Sequence, residues 1–97
     1  MIVSFGDRAT EDLYHGRSTV RARRYPAEIV ASALVRLDML NAAYRLSDLA
    51  APPGNRLEPL KGHLKGLHSI RVNDQWRFVF RWRGDSAFDV RLTDYHG

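Results

Sequence analysis

The chain contains no cysteine. Without a thiol there is no disulfide, no thiolate zinc site, no iron–sulfur cluster and no cysteine nucleophile. Lysine is almost missing too: Lys61 and Lys65 are the only two among fifteen cationic side chains, and the other thirteen are arginine. No apolar run nears the roughly 20 residues that a membrane span needs, and charge arrives at Asp7 and Arg8, too early for a secretory signal. Ninety-seven residues suit one domain, 1–97, with a small core, and leave no room for separate cofactor and substrate domains. A soluble intracellular domain is expected.

What is present is charge of one kind. Arginine presents a planar fork that grips phosphate through two hydrogen bonds and stacks on bases, which a lysine ammonium cannot do. With a net charge of +4, an anionic partner is the first expectation, nucleic acid ahead of membrane; a GC-rich genome would enrich arginine as well. The excess is concentrated. Residues 15–25 hold Arg17, Arg21, Arg23 and Arg24 with no acid, a net of +4. Residues 56–83 hold Arg56, Lys61, Lys65, Arg71, Arg77, Arg81 and Arg83 against Glu58 and Asp74, a net of +5. The remaining segments are mildly acidic, and such clustering marks a surface better than the total does.

Residues 1–5 read as a short β-branched strand and 7–15 as a brief helix. Residues 15–25 lack apolar periodicity and read as a mobile basic loop. Pro26 suits a helix start, and Ile29, Val30, Ala33, Leu34, Leu37, Leu40 and Tyr44 recur at spacings of three and four. This helix is expected to stop before Ala51-Pro52-Pro53-Gly54. Beyond it the period is two: His68, Ile70 and Val72; then Trp76, Phe78, Phe80 and Trp82; then Phe88, Val90 and Leu92. Turns at Asn73-Asp74 and Gly84-Asp85-Ser86 make a three-stranded antiparallel meander, with residues 57–60 as an extended lead-in limited by Pro59. If Phe78 and Phe80 face the helices, Arg71, Arg77, Arg81 and Arg91 line the opposite, open face with Thr93 and Tyr95. They either meet an anion there or pair with carboxylates such as Asp89 and Asp94.

The run Leu60-Lys61-Gly62, followed by Gly66-Leu67-His68-Ser69-Ile70-Arg71-Val72-Asn73-Asp74-Gln75-Trp76-Arg77-Phe78-Val79-Phe80, resembles the core signature of the HigB-type toxins. These belong to the RelE/ParE superfamily of type II toxin–antitoxin systems and are also called plasmid maintenance system killer proteins. The closing Asp94-Tyr95-His96 is similar to the family's terminal triplet. Met1-Ile2, Phe5, the long helix and Pro52-Pro53-Gly54-Asn55-Arg56-Leu57 fit the same pattern, so the likeness covers nearly the whole chain, with 15–25 matching poorly.

The resemblance implies an α+β, RelE-like fold, with N-terminal helices packed on one face of a small antiparallel sheet. It implies a cytoplasmic bacterial toxin that cleaves messenger RNA on the 70S ribosome without metal or cofactor. It also implies neutralisation by a HigA-type helix-turn-helix antitoxin, with operator DNA reached only through that antitoxin. Its functional residues map onto Lys61, Arg77, Asp94, Tyr95 and His96. Some relatives carry His where this chain has Glu58, which accepts a proton but cannot donate one as imidazolium does. That departure implies weaker activity or redistributed roles.

Metal-free cleavage needs a base for the 2′-OH, charge stabilisation on the phosphorane and an acid for the 5′-oxygen. His96 titrates nearest neutrality and suits the acid. Arg77 suits the charge, with Arg71 and Lys61 assisting; Arg81, Arg91 and Lys65 are further RNA-binding candidates. Glu58 or Lys61 supplies the base. Tyr95 stacks on a base or orients the phosphate, and Asp94 orients His96 or pairs with an arginine. The spacing of His63, His68 and His96 matches no zinc site. Two other readings stay open: a ParE-like inhibitor of DNA gyrase, and a non-catalytic RNA-binding module. The antitoxin is expected on the helical side and at residues 15–25.

Overall fold

The structure, a computed structural model, describes residues 1–94; Tyr95 and His96 lie outside the described residues. Helix α1 spans Arg8–Tyr14 and α2 spans Ala27–Ala42. Four strands follow, β1 (Glu58–Pro59), β2 (His68–Arg71), β3 (Trp76–Arg83) and β4 (Ser86–Asp94), hydrogen-bonded in chain order as an antiparallel meander. The expected lead-in at 57–60 is thus a fourth strand: Glu58 pairs with Ser69 and Pro59 with His68. Pro59 is tolerated because β1 is the edge, where its missing N–H costs no ladder bond. No helix among the described residues is long and apolar enough to cross a membrane.

Both helices lie on one face. Ile29, Ala33, Leu37 and Leu40 of α2 and Leu13 of α1 join Ile70, Phe78, Phe80, Val90 and Leu92 of the sheet in one buried cluster. Asp7 caps α1, its carboxylate accepting from the Thr10 N–H at 2.8 Å. The buried Thr10 hydroxyl then accepts from the Leu92 N–H at 2.8 Å, tying α1 to the last strand. Helix α2 ends earlier than its apolar spacing suggests. The Asp48 carboxylate accepts from the N–H groups of Tyr44 and Arg45, both at 3.0 Å, and starts a separate 3-10 turn at Leu46–Leu49. Those backbone bonds hold the Asp48 carboxyl below the ordinary carboxylate range. A side chain offering the backbone local partners ends a helix that periodicity alone would continue. Tyr44 therefore leaves the apolar stripe and is 78% exposed.

Parity on β4 also departs from strict alternation. Val79 pairs with Arg91 but Arg81 pairs with Phe88, so two steps on β3 face three on β4. The extra residue is a bulge at Asp89, whose φ of 56° lies in the left-handed region. Beyond it the faces exchange: Ala87 is in the core with Val90 and Leu92, and Phe88 sits beside Arg81 on the opposite face.

The bulge also explains why residues 1–5 make only isolated parallel bridges to β4, Ile2 with Ala87 and Phe5 with Val90, instead of an uninterrupted strand. Between the bridges the Asp89 N–H donates to the Ser4 hydroxyl at 2.9 Å, a side chain standing in for a ladder carbonyl. The chain passes so near that a β-carbon on Gly6 would lie 2.7 Å from the Asp89 carbonyl oxygen.

Residues 15–25 are not a free basic loop. The Asp12 carboxylate, in a residue 3% exposed, accepts from the Thr19 hydroxyl at 2.9 Å, from Arg21 at 3.0 and 3.2 Å, and from Arg17 at 3.3 Å. Residues 22–24 form a 3-10 turn. The segment looked acid-free because its counter-ion lies just before it on α1. The Thr19 hydrogen bond, aided by both arginines and opposed by burial, lowers the Asp12 pKa.

Two outcomes are expected. Gly6→Ala forces the N-terminal residues off the bulge and lowers unfolding free energy by about 1–3 kcal/mol in urea titration, as overpacking does. Because the folded Asp12 pKa lies below its unfolded value, its contribution is complete above the unfolded pKa and is lost as pH falls through the folded one. Asp12→Asn should therefore melt below the wild type at pH 7, with the gap narrowing as the pH falls below about 4. A gap independent of pH would show that Asp12 does not act as a carboxylate.

Candidate functional site

Across the face opposite the helices, register sets the side chains in rows. Arg71, Arg77 and Thr93 are cross-strand neighbours; Glu58, Ser69, Val79 and Arg91 form the next row; Arg81 and Phe88 form the last. Strand alternation thus places Arg71, Arg77, Arg81 and Arg91 together, as expected. The face is less open than a bare arginine array. Val79 is 2% exposed and Arg77 only 9%.

Arg77 is the centre of the arrangement. Its Nε donates to the Ser69 hydroxyl at 2.9 Å, and Nη2 donates to the Arg56 carbonyl at 2.7 Å. Nη2 also lies 3.9 Å from the Glu58 carboxylate. The structure therefore brings two of the sequence candidates, Glu58 and Arg77, into an ion pair, with Glu58 more than half exposed. The other arginines differ in their surroundings. Arg71 pairs with Asp74 in the β2–β3 turn, and Arg81 lies 3.9 Å from Asp89 at the bulge. Carboxylates thus meet three of the four guanidinium groups. Arg91 forms no ion pair among the described residues.

Lys61 and Lys65 sit on the loop that joins β1 to β2. The Leu60 N–H bonds the Leu67 carbonyl at 2.9 Å, closing the loop, and a 3-10 turn at Gly62–Leu64 begins just after Lys61. Gly62 and Gly66 take φ of 66° and 94°, turns that side-chain-bearing residues rarely adopt. Both lysines are exposed and neither forms an ion pair among the described residues. The loop approaches the arginine rows: a β-carbon at Gly66 would lie 3.7 Å from Arg81 Nη1. Two cationic candidates, Lys65 and Arg81, therefore flank one corner of the face.

Asp94 has the other parity. It pairs in register with Trp76 and accepts from Gln75 Nε2 at 3.1 Å, at the end of β4 beside the β2–β3 turn. Among the described residues no group of three His, Asp or Glu side chains is placed to hold a metal ion, and no enclosed cavity forms. The arrangement offers, on an open surface, a carboxylate beside a buried guanidinium, flanked by exposed ammonium groups. Such a set can take up a proton next to a phosphate and stabilise added negative charge on it.

Two participants escaped the sequence reading. Ser69 stands diagonally across from Arg77, within reach of a long side chain, and strand parity could have singled it out. The Arg56 carbonyl could not have been found. It is aimed by a left-handed backbone, φ 44°, at a residue that is not glycine.

Compared with known families, residues 3–96 match the one described as the RelE-like toxin of the type II toxin–antitoxin system HigB. The chain is 44% identical over 95 residues to Toxin HigB-1 of Vibrio cholerae serotype O1, covering 98% of each protein. It is 32% identical over 71 residues to Endoribonuclease HigB of Proteus vulgaris, covering 73% of this chain and 76% of that one. Among solved structures, the YoeB–YefM complex of Staphylococcus aureus contains a chain with the same fold, at TM-score 0.61 and 17% identity, over 100% of this chain and 99% of that one.

Proposed function

The chain belongs to the HigB-like family of type II toxin–antitoxin toxins, and on that premise we propose that it is a metal-independent endoribonuclease that cuts messenger RNA on the ribosome. The observation that carries the reading is the Glu58–Arg77 pair, 3.9 Å apart on the sheet face, with Lys61 three residues along the chain from Glu58. The relative named Endoribonuclease HigB supports the same chemistry.

In the proposed reaction the 2′-oxygen attacks the adjacent phosphorus as its proton passes to Glu58 or Lys61. A bond forms between the 2′-oxygen and phosphorus, and the bond from phosphorus to the 5′-oxygen breaks. A proton from His96 reaches the departing 5′-oxygen, leaving a 2′,3′-cyclic phosphate and a 5′-hydroxyl. Arg77 offsets the charge added at the phosphorane, where a fixed donor acts most strongly. Tyr95 stacks on or orients the nucleotide, and Asp94 steers His96. Lys65, Arg71, Arg81 and Arg91 hold the RNA backbone. The partner that silences the toxin is proposed to be a HigA-type helix-turn-helix antitoxin, seated on the helical side and residues 15–25, and the only route from the toxin to operator DNA. The site of action is the bacterial cytoplasm.

Replacing the acid or the charge stabiliser should be costly. His96→Ala and Arg77→Ala are each expected to slow message cleavage on purified ribosomes by about 100-fold or more. Undiminished cleavage in both variants would remove the assignment. Retained translation arrest by His96→Ala that vanishes with added salt would instead mark an RNA-binding module, and DNA damage with intact message would mark a gyrase inhibitor.

A further inference from the structure

The arginine at the centre of the face is held by groups that take no part in the proposed proton transfers. Ser69 is fully buried on β2, and its hydroxyl accepts from Arg77 Nε at 2.9 Å. The Arg56 carbonyl accepts from Nη2 at 2.7 Å. Nε and Nη2 carry hydrogens along one edge of the guanidinium, so two acceptors on that edge fix both its position and its plane.

The second acceptor is itself held by strained backbone. Arg56 adopts φ 44° without being glycine, a conformation that persists only where its surroundings impose it. Those surroundings are visible: Asn55, wholly buried, donates from Nδ2 to the Leu49 carbonyl at 3.1 Å and anchors the turn before Arg56.

We propose that Ser69 is a positioning residue for RNA cleavage, locking with the Arg56 carbonyl the Arg77 guanidinium in the plane that meets the reacting phosphate. The inference rests on the reading of Arg77 as the charge stabiliser. A donor already oriented before the phosphorane forms needs no reorganisation during the reaction. Without the hydroxyl, Arg77 keeps its charge but loses its fixed plane. The chemical step should suffer while RNA affinity, carried by the lysines and outer arginines, stays the same.

Single-turnover cleavage on ribosomes tests this with Ser69→Ala, Ser69→Thr, Arg77→Ala and the double variant Ser69→Ala/Arg77→Ala. Ser69→Ala should lower the maximal rate by about tenfold without moving the toxin concentration for half-maximal rate, and Ser69→Thr should restore most of it. In the Arg77→Ala background the serine change should cost nothing more. A wild-type rate in Ser69→Ala, or the same loss with and without Arg77, overturns the inference. Full activity in Arg77→Ala would instead overturn the role given to Arg77. A second measurement needs no activity: exchange of the Arg77 Nε proton followed by NMR. It should be slow in wild type and Ser69→Thr and fast in Ser69→Ala. Fast exchange in the wild type, or equal exchange in wild type and Ser69→Ala, refutes the positioning.

Discussion

The register of β4 against β3 is the constraint on which the molecule rests. β3 alternates without interruption, so Phe78 and Phe80 must enter the core while Arg77, Val79 and Arg81 face away. β4 matches that alternation only as far as Val90. Without the bulge at Asp89, Phe88 would point at the helices and Ala87 away from them, and the core would need a different shape. The same irregularity gives Arg81 a carboxylate neighbour and gives the N-terminal residues a place to bind. Core, site and sheet edge are set at one residue.

A second constraint is the cost of burying a guanidinium. A charge taken out of water is tolerated only where acceptors satisfy its donors. Arg77 meets that demand with a hydroxyl, a backbone carbonyl and a nearby carboxylate. The lysines on the β1–β2 loop carry no such debt to the fold, because they stay in water. Cationic groups on this face therefore divide into one that is structurally committed and several that can adapt to a ligand. Such a division suits a fixed reacting centre surrounded by looser backbone contacts.

Much of this was legible in the sequence where local rules acted alone. The change of period from helix to strand after Pro52-Pro53, the core identity of Ile70, Phe78 and Phe80, and the gathering of four arginines on one face all follow from spacing. What escaped were competitions that spacing does not encode. Asp48 ended α2 through hydrogen bonds to backbone that the helix would otherwise have used. Asp89 took a left-handed conformation that aspartate accepts more readily than most residues, yet nothing nearby announces it. Arg17 and Arg21 looked unpaired because Asp12 lies across a segment boundary. Of the candidate site, Arg77 was legible from the strand pattern and the resemblance together, whereas Glu58 stood out only as a departure from the residue some relatives carry there. Tyr95 and His96, outside the described residues, were singled out mainly by the terminal triplet.

The bridges between the two ends of the chain bear on how the protein reaches its folded form. Ser4 meets Asp89 across 85 residues, and Thr10 meets Leu92 across 82. Contacts so distant in sequence must close nearly the whole chain as a loop, and they form only after that entropy has been overcome. During synthesis α1 can meet residues 17–25 early, through Asp12, but its bond to Leu92 and the bridges of the first residues wait until β4 leaves the ribosome. The outer edge of β4 is open from its emergence until those residues dock on it. A nascent copy of this toxin thus carries its arginine-rich hairpin before the segment that seals the sheet has docked, and docking is the step that completes the molecule.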